Sequence, residues 1–271
     1  MNKFEKEMRD ILKKGKEYYS ILATKAEFEA EGTRTDELLR LLEIAHSAGV
    51  EIALKIGGCE AIKDMYEAKQ FGVDYLIAPM IETPYALSKY ITAKNRVFAD
   101  SQFGSTKFLF NVETNSTYQK IDEIVQVASH NSSCDGIVFG RVDFSGSLGL
   151  TRNDIESHLV IDPLLDTAQR CKNAGLEFVV GGAVSIDALP NLQKINDVYL
   201  TRFETRKVIF SADALEISKN ELEKGLKSAV RFELLWLINK REYYCSMYSE
   251  DDKRIKMLED RWKVLNQEYS I

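Results

Sequence analysis

Short apolar runs alternate with stretches of helical periodicity from about residue 19 to residue 210. Seven runs have the length and composition of buried strands: 19–28, 51–57, 74–81, 107–113, 135–140, 176–182 and 197–203. The stretches between them repeat apolar residues at helical spacing, and Gly49 and Gly72 provide typical helix ends. Pro84 and Pro163 are each expected in the first turn of a helix. Repeated alternation with short connections predicts a parallel sheet wrapped by helices.

An open doubly wound sheet and a closed barrel both fit this alternation. No G-x-G-x-x-G follows the first run, which weakens the dinucleotide-binding sheet. Polar residues follow the C-terminal ends of many different strands, where barrels of this type keep their chemistry. We therefore predict an α/β fold, a (β/α)₈ (TIM-type) barrel with additional C-terminal helices. Because only seven runs are visible, the eighth strand is expected near residues 12–20, or the first strand is unusual.

The chain after about residue 212 is helical in pattern and includes the apolar segment FELLWLI at 232–238. We expect residues 1–211 to form the barrel with an N-terminal helix. Residues 212–271 would supply the helix that closes the barrel and a C-terminal helical extension. Two readings of this extension stay open, an oligomerisation arm for a neighbouring subunit and a helix folded back on its own barrel.

Composition and charge exclude several classes of function. The 36 basic and 42 acidic residues give a net charge of -6, so no global basic field attracts nucleic acid or an anionic membrane. No apolar run approaches the roughly 18 residues that span a bilayer, and the N-terminus lacks the apolar core of a secretion signal. The four scattered cysteines are expected to stay reduced in the cytoplasm. Only three histidines are present, which argues against a His-rich metal site or a Ser-His-Asp triad.

Charged residues and glycines gather at the predicted strand ends. Singly, each is more often a solvated side chain or a helix cap, but seven successive strand ends of this kind indicate one common site on the rim. Glu113 and Asp143 end neighbouring strands, and such oxygen ligands suit a hard cation such as Mg²⁺. Lys55 and Arg141 could hold a substrate carboxylate while the metal polarises a carbonyl and stabilises an enolate.

Two segments resemble a known family. LFNVETNSTYQKIDEIV (109–125), followed by CDGIVFGRVDFSGSLG (134–149), is similar to the HpcH/HpaI aldolase and citrate lyase β-subunit superfamily of pyruvate/phosphoenolpyruvate-type barrels. Members carry an "IET"-like strand end, a helix, and then a strand ending G-x-x-D-L-S-x-x-L-G. YLIAPMIET (75–83) looks like the upstream "LLVPMV" strand, so the resemblance covers about residues 20 to 205. It implies that Glu113 and Asp143 hold Mg²⁺, Mn²⁺ or another divalent cation, and that the protein is a homo-oligomer.

The chain departs from this family at three places. Family aldolases usually end the strand after the first helix in an arginine, whereas this strand ends in Lys55, a point charge without the bidentate fork. Arg141 stands where the family has a small residue or proline and could supply the missing guanidinium. EFEAEGTR (27–34) lacks the histidine that several aldolases use as part of the base, so that role is vacant or falls to Glu29 or Glu31.

The sequence and the resemblance together favour a divalent-metal-dependent carbon–carbon lyase or aldolase. It would act on a 2-oxo acid such as pyruvate through an enolate, with an aldehyde or a thioester as co-substrate. The expected catalytic residues are Lys55, Arg141, Glu29 and Glu31, and the expected substrate-binding residues are Lys55, Gly57, Gly58, Arg141, Ser145, Gly182 and Arg206. Two alternatives stay open: a Schiff-base aldolase using Lys55 or Lys25, and a non-catalytic barrel that binds an acidic metabolite or a partner protein.

Overall fold

The computed structural model describes residues 1–99 and 106–267 and contains a closed barrel whose eight strands follow one another in chain order. The strands are β1 (Ile21–Glu27), β2 (Glu51–Lys55), β3 (Tyr75–Ala78), β4 (Lys107–Val112), β5 (Gly136–Gly140), β6 (Glu177–Gly181), β7 (Arg202–Glu204) and β8 (Val208–Ser211). The helices are α1 (Lys3–Tyr18), α2 (Thr35–Ala48), α3 (Ile62–Phe71), α4 (Pro84–Val97), α5 (Asn115–Tyr118), α6 (Ile121–Ser129), α7 (Arg141–Ser147), α8 (His158–Ala174), α9 (Leu189–Val198) and α10 (Lys219–Gln267). The predicted TIM-type barrel with additional C-terminal helix is confirmed.

The eighth strand is not where the sequence suggested. Residues 12–18 belong to α1, and the barrel is closed by β8, which follows β7 after only three residues. β8 pairs antiparallel with both β7 and β1, whereas the other neighbouring strands pair parallel. The turn is held by hydrogen bonds between Thr205 and Val208, including Thr205 N–H to the Val208 carbonyl at 2.9 Å. A turn of three residues leaves no room for a crossover helix, so the last strand must run antiparallel.

Two local predictions need correction. The residues after Gly140, which the family motif describes as the end of a strand, form the short helix α7. Pro163 is the sixth residue of α8 and does not lie in its first turn, because the helix already begins at His158. Pro84, in contrast, occupies the first turn of α4 as predicted, and Thr83 caps that helix by accepting from the Ala86 N–H at 3.0 Å.

The barrel interior changes from apolar to charged along the barrel axis. A layer in the middle contains Ala23, Ala53, Ile77, Leu109, Val138, Val179 and Ile209. Below it, the Tyr75 hydroxyl donates to Glu51 at 2.5 Å, and Glu177 pairs with Lys107 and Arg202. The inward positions above the apolar layer, at the C-terminal ends of the strands, are mostly charged. The apolar layer therefore separates the floor of the barrel from the charged mouth.

The helix α10 runs from the floor of the barrel to its rim along α1. Near its start, Gly225 packs against Tyr19, which precedes β1. Further along, the ring of Trp236 lies 5.7 Å from the ammonium of Lys207 in the β7–β8 turn, and the Tyr244 hydroxyl donates to Glu37 of α2 at 2.7 Å. The helix continues beyond Tyr244 with exposed side chains. Although α10 is long, neither it nor any other helix in the described ranges is apolar enough to span a membrane.

Candidate active site at the barrel mouth

Two glutamates flank two glycines in one row across four adjacent strands. Gly140 of β5 is the register partner of Gly181 of β6, and extending the register places Glu113 beside Gly140 and Glu204 beside Gly181. A Cβ on Gly140 would lie 2.9 Å from Oε2 of Glu113, and a Cβ on Gly181 would lie 2.9 Å from Oε1 of Glu204. Each carboxylate therefore occupies space that a side chain on the neighbouring strand would fill.

Glu113 is held in this row by hydrogen bonds from the backbone after β3 and from a side chain of β4. It is 2% exposed; Oε1 accepts the Met80 N–H at 2.9 Å, and Oε2 accepts from Nδ2 of Asn111 at 2.5 Å. Met80 adopts a positive φ of 49°, a conformation that few residues other than glycine favour, at the position where it donates to Glu113. The backbone after β3 is thus shaped around this carboxylate.

Lys55, at the end of β2, brings a positive charge to the same place. Its ammonium lies 3.6 Å from Oε2 of Glu113 and 3.3 Å from Oε2 of Glu29, and the residue is 8% exposed. A buried ammonium is stable only when carboxylates or other acceptors surround it. Because Glu29 is 28% exposed at its side chain, it is the member of this trio that reaches toward solvent.

A second ion cluster lies inside β1 and β7. The ammonium of Lys25 lies 2.6 Å from Oε1 of Glu204 and 3.0 Å from Oε1 of Glu27, and all three side chains are buried. Burial alone would lower the pKa of Lys25, but Glu204 and Glu27 raise it above its ordinary value. Burial alone would raise the pKa of Glu27, but Lys25, with Lys55 and Lys207 nearby, brings it below its ordinary value. Lys25 and Glu27 are therefore both charged at neutral pH.

The β7–β8 turn adds two further cations. The ammonium of Lys207 pairs with Glu31 and donates to the Lys25 carbonyl at 3.3 Å, and Nε of Arg206 lies 3.2 Å from Oε1 of Glu31. Burial lowers the pKa of Lys207, while Glu31 opposes this shift. Glu31 is thus held between two cations, whereas Glu29 pairs with Lys55 alone among the residues that the structure describes.

The structure brings Arg141, Ser145 and Gly182 together through hydrogen bonds within the fold. Arg141 is fully buried; its Nη2 and Nε donate to the Gly182 carbonyl at 2.7 and 3.1 Å, and its Nη1 lies 2.8 Å from Oε1 of Glu156. Ser145 donates to the Arg141 carbonyl at 2.8 Å. Burial lowers the pKa of Arg141, and Glu156 opposes the shift. This guanidinium fastens the loop after β6 to the start of α7.

The remaining predicted residues lie in the loops of the rim. Gly57 donates its N–H to Asp64 at 2.8 Å, and Gly58 is the next residue of that loop. Gly182 has a φ of +86°, and a Cβ there would lie 2.8 Å from the backbone nitrogen of Val142, so the loop packs directly on α7. Asp143 is exposed in the first turn of α7, which begins directly after Gly140 and so close to Glu113.

The donor set of Glu113 and Asp143 fits a hard divalent cation. Both side chains follow the ends of neighbouring strands, and a carboxylate has about four acceptor sites, so Glu113 keeps free lone pairs beside its hydrogen bonds. Mg²⁺ typically takes one or two protein carboxylates and completes its shell with water and substrate oxygens. Within the described ranges, no cluster of three or more His, Cys, Asp or Glu side chains forms a metal site. Glu113 and Asp143 are therefore the two protein ligands to be tested for a divalent cation.

The sequence reasoning assigned no metal-binding or substrate-binding role to four buried residues of the mouth, which are Lys25, Asn111, Glu204 and Lys207; it considered Lys25 only as an alternative Schiff-base lysine. A signal existed for two of them, since Lys25 stands two residues before Glu27 and Asn111 two residues before Glu113. Alternate residues of a strand face the same side, so each pair points into the barrel together. Lys207 gave no such signal, because β8 was not recognised as a strand.

Fold and site together define a closed barrel with a charged site at the C-terminal ends of its strands, the place where barrel enzymes carry their catalytic groups. The chain matches the HpcH/HpaI aldolase/citrate lyase family over residues 33–189, more than half of its length, and it belongs to that family. This membership indicates an enzyme of the aldolase or lyase class. The family is in general dependent on divalent metals.

Solved structures share the fold at low sequence identity. An HpcH/HpaI aldolase/citrate lyase family protein from Burkholderia cenocepacia J2315 superposes with a TM-score of 0.60 at 14% identity, covering 90% of each chain. An HpcH/HpaI aldolase from Desulfitobacterium hafniense DCB-2 gives 0.58 at 15% identity, covering 81% of this chain and 87% of its own. The citrate synthase SbnG gives 0.58 at 17% identity, covering 74% and 81%. Among curated proteins, no match is found.

Proposed function

We propose that the protein is a divalent-metal-dependent carbon–carbon lyase or aldolase that acts on a 2-oxo acid through an enolate. The observation that carries the proposal is the placement of Lys55 beside Glu113 at the mouth of the barrel, with Asp143 following the adjacent strand. An ammonium and two carboxylates at this position can together receive a substrate that bears both a carboxylate and a carbonyl. A bound Mg²⁺ or Mn²⁺ on Glu113 and Asp143 would polarise the carbonyl and stabilise the enolate.

The other groups of the mouth have separable tasks. Lys55 binds an anionic oxygen of the substrate as a point charge. Glu29, the more exposed of the two candidate bases, is the better placed to move a proton, because Glu31 is held by Lys207 and Arg206. Arg141 acts as a positioning residue that fixes the Gly182 loop. Gly57 and Gly58 offer the backbone of the rim to the co-substrate, an aldehyde or a thioester.

The two alternative functions, a Schiff-base aldolase and a non-catalytic binding barrel, require different charge states of the lysines. A Schiff base requires a neutral amine, and Lys25 fails this requirement because Glu204 and Glu27 keep it charged. Lys55 is the remaining candidate for this mechanism. A barrel that only binds an acidic metabolite would use the same cations without exchanging protons.

The experiment follows the methyl signal of pyruvate by NMR in D₂O, with Mg²⁺ or Mn²⁺ and then with EDTA. The proposal expects exchange of the methyl protons that depends on the metal and falls at least about tenfold in Glu113→Gln and Asp143→Asn. The exposed Glu123→Gln on α6 is the matched control. Absence of exchange in the wild type with either metal would overturn the enolate chemistry, and binding of pyruvate without exchange would favour the non-catalytic barrel.

Borohydride reduction of the same sample addresses the Schiff base. We expect no covalent adduct in the intact mass, since metal-dependent exchange needs no imine. An adduct that is lost in Lys55→Met would replace the metal mechanism with the Schiff-base one.

We also propose a cytoplasmic homo-oligomer that binds neither nucleic acid nor membrane. The four cysteines are unpaired, and the net charge of -6 offers no basic field. Residues 212–267 support assembly, because the part of α10 beyond the barrel carries exposed apolar side chains.

A further inference from the structure

The mouth of the barrel contains two buried acceptor atoms that lack a hydrogen-bond partner among the described residues. They are Oε2 of Glu204 and Oδ1 of Asn111, on side chains that are 4% and 5% exposed. A buried polar atom without a partner carries a desolvation cost, so native sites normally supply one. Both atoms are hydrogen-bond acceptors, so the mouth of the barrel lacks hydrogen-bond donors for them among the described residues.

The glycine row places Glu204 in the same space as Glu113. Glu204 Oε1 and Glu113 Oε2 each lie 2.9 Å from the Cβ positions of Gly181 and Gly140, which are register partners. Since neighbouring strands are about 4.8 Å apart, the two carboxylates are separated by at most about 11 Å. The two glycines between them carry no side chains, so the space above these glycines is open. A short-chain acid bound at Glu113 can therefore present a group on its third or fourth carbon to Glu204.

We propose that Glu204 is a second functional carboxylate of this site, whose free Oε2 accepts the hydrogen bond of a substrate hydroxyl and takes its proton during cleavage. This rests on the proposed function, because a 2-oxo acid and an aldehyde are the products when a 4-hydroxy-2-oxo acid is cleaved. Glu204 removes the hydroxyl proton, the bond between carbons 3 and 4 breaks, and its electron pair passes to the enolate of the 2-oxo acid. The aldehyde leaves, and the enolate then regains a proton at carbon 3. The ammonium of Lys25 lies 2.6 Å from Oε1 of Glu204 and leaves Oε2 without a partner among the described residues.

The test compares two inert acids that differ by one hydroxyl, 2,4-dihydroxypentanoate and 2-hydroxypentanoate, titrated calorimetrically in the presence of Mg²⁺. Neither has the 2-oxo group, so neither can form an enolate. The wild type is expected to bind the dihydroxy acid at least about tenfold more tightly, because a hydrogen bond to a charged acceptor is worth that factor or more. In Glu204→Gln the preference should fall to about threefold or less, while Glu123→Gln retains it.

A second variant keeps the test valid if Glu204→Gln fails to fold. Such a failure is a concern because Glu204→Gln leaves the buried Lys25 with one carboxylate fewer. Gly181→Ala keeps every charge but places a Cβ 2.9 Å from Oε1 and 3.2 Å from Cγ of Glu204, so it displaces the carboxylate. It should lose the hydroxyl preference too. Equal affinity for the two acids in the wild type, or a preference that survives in both variants, would overturn the proposal.

The exchange experiment with pyruvate separates this proposal from the proposed function. Pyruvate has no hydroxyl, so Glu204→Gln should retain metal-dependent methyl exchange while cleavage of a 4-hydroxy-2-oxo acid is lost. Exchange in the wild type together with unchanged cleavage in Glu204→Gln overturns the role of Glu204 alone. Absence of both reactions in the wild type overturns the proposed function and the proton transfer with it.

An independent observation concerns the distal half of α10. Exposed apolar residues recur there at alternating steps of four and three: Tyr248, Ile255, Leu258, Trp262 and Leu265, between 44% and 71% exposed. Asp251 is the one polar residue in this series. Such a heptad seam on a helix surrounded by solvent is typical of a coiled coil.

The charges beside this seam select the partner and its direction. Arg254 and Arg261 lie on one side of the seam, and Asp252 and Glu259 lie on the other. In a parallel pair of identical helices, Arg254 faces Glu259 of the second copy, whereas an antiparallel pair would place like charges opposite each other. We infer that residues 248–265 form a parallel two-stranded coiled coil with a second copy of this chain.

The oligomeric state of the full chain tests this inference by light scattering after gel filtration. Leu258→Asp should halve the mass of the wild-type particle, while Met257→Asp, an equal change on the opposite face of the helix, should leave it unchanged. Oxidised Leu258→Cys in a Cys245→Ser background should give a covalent dimer, because equivalent seam positions meet in a parallel pair, and Lys253→Cys should not. A monomeric wild type, an unchanged mass in Leu258→Asp, or no cross-link through Cys at position 258 would overturn the inference.

Discussion

The ammonium of Lys55 lies 3.6 Å from Oε2 of Glu113, the carboxylate on which we propose that a divalent cation binds. A lysine and a metal ion on one glutamate repel each other, and two unit charges 4 Å apart interact by about 4 kcal/mol at an effective dielectric constant of 20. On our proposal, Lys55 would contribute to substrate binding and weaken metal binding at the same time.

Replacement of Lys55 by Met should therefore separate these two effects. We expect tighter binding of Mn²⁺, by about tenfold or more, together with weaker binding of pyruvate. Electron paramagnetic resonance of free Mn²⁺ and NMR titration of pyruvate measure the two affinities. Unchanged Mn²⁺ affinity would mean that the metal does not share Glu113 with this lysine.

Gly140→Ala should displace Glu113, the proposed metal ligand, directly. Its Cβ would lie 2.9 Å from both Cβ and Oε2 of Glu113, so the glutamate must move, at a cost of about 1–3 kcal/mol in the free energy of unfolding. Metal-dependent exchange should fall with it. Gly146→Ala is the control, since no atom lies within 4 Å of its Cβ and the substitution within α7 should be neutral or slightly stabilising.

The ion cluster around Lys25 predicts how stability depends on pH. The pKa of Glu27 is lower in the folded chain than in the unfolded one, so its contribution is present above the unfolded value of 4.5 and is lost as the pH falls through the folded value. Urea denaturation between pH 3 and 7 should show falling stability at the acidic end. In Glu27→Gln this dependence should become shallower; an unchanged slope would show that Glu27 is not ionised in the native state.

Arg141→Lys distinguishes a structural guanidinium from one that binds substrate. Lysine cannot reproduce three donors directed at Gly182 and Glu156, so we expect a loss of about 1–3 kcal/mol in unfolding free energy. Below the unfolding temperature, pyruvate affinity should stay within about twofold of the wild type. A variant of unchanged stability but much weaker pyruvate binding would restore Arg141 to the substrate-binding role that the sequence suggested.

The strand–helix alternation and the glycine helix ends were sufficient to predict an α/β fold, because hydrophobic periodicity is a local property. The polar residues at the strand ends then favoured the closed barrel over the open sheet. The sequence analysis missed the eighth strand because its apolar run, VIF, has only three residues. Of its two pairing partners, β1 lies far away in the chain and β7 immediately precedes it. Arg141 looked available from sequence because nothing local reveals that it is fully buried. Its partners Gly182 and Glu156 come from two different later segments.

The residues of the candidate site also divide into those that the local sequence identifies and those that only the folded barrel identifies. Glu113 and Lys55 could be named from strand ends and from the resemblance, because position in the chain fixes their height in the barrel. The importance of Glu204 depends on the register of Gly181 against Gly140 and on a lysine in β1, which are relations among three strands. Such relations follow from closure of the barrel and leave no trace in a single segment.

The hairpin between β7 and β8 also changes the electrostatics of the rim. Where a strand leads into a helix, the first turn of that helix exposes N–H groups that attract anions; residues 205–207, all of which the structure describes, contain no such turn. Positive potential in this sector comes from Arg206 and Lys207, and Glu31 offsets both. For the anionic substrate that we propose, the field at the mouth would be asymmetric, and the substrate would be guided away from the β7–β8 turn toward Lys55 at the end of β2, two strands from β8.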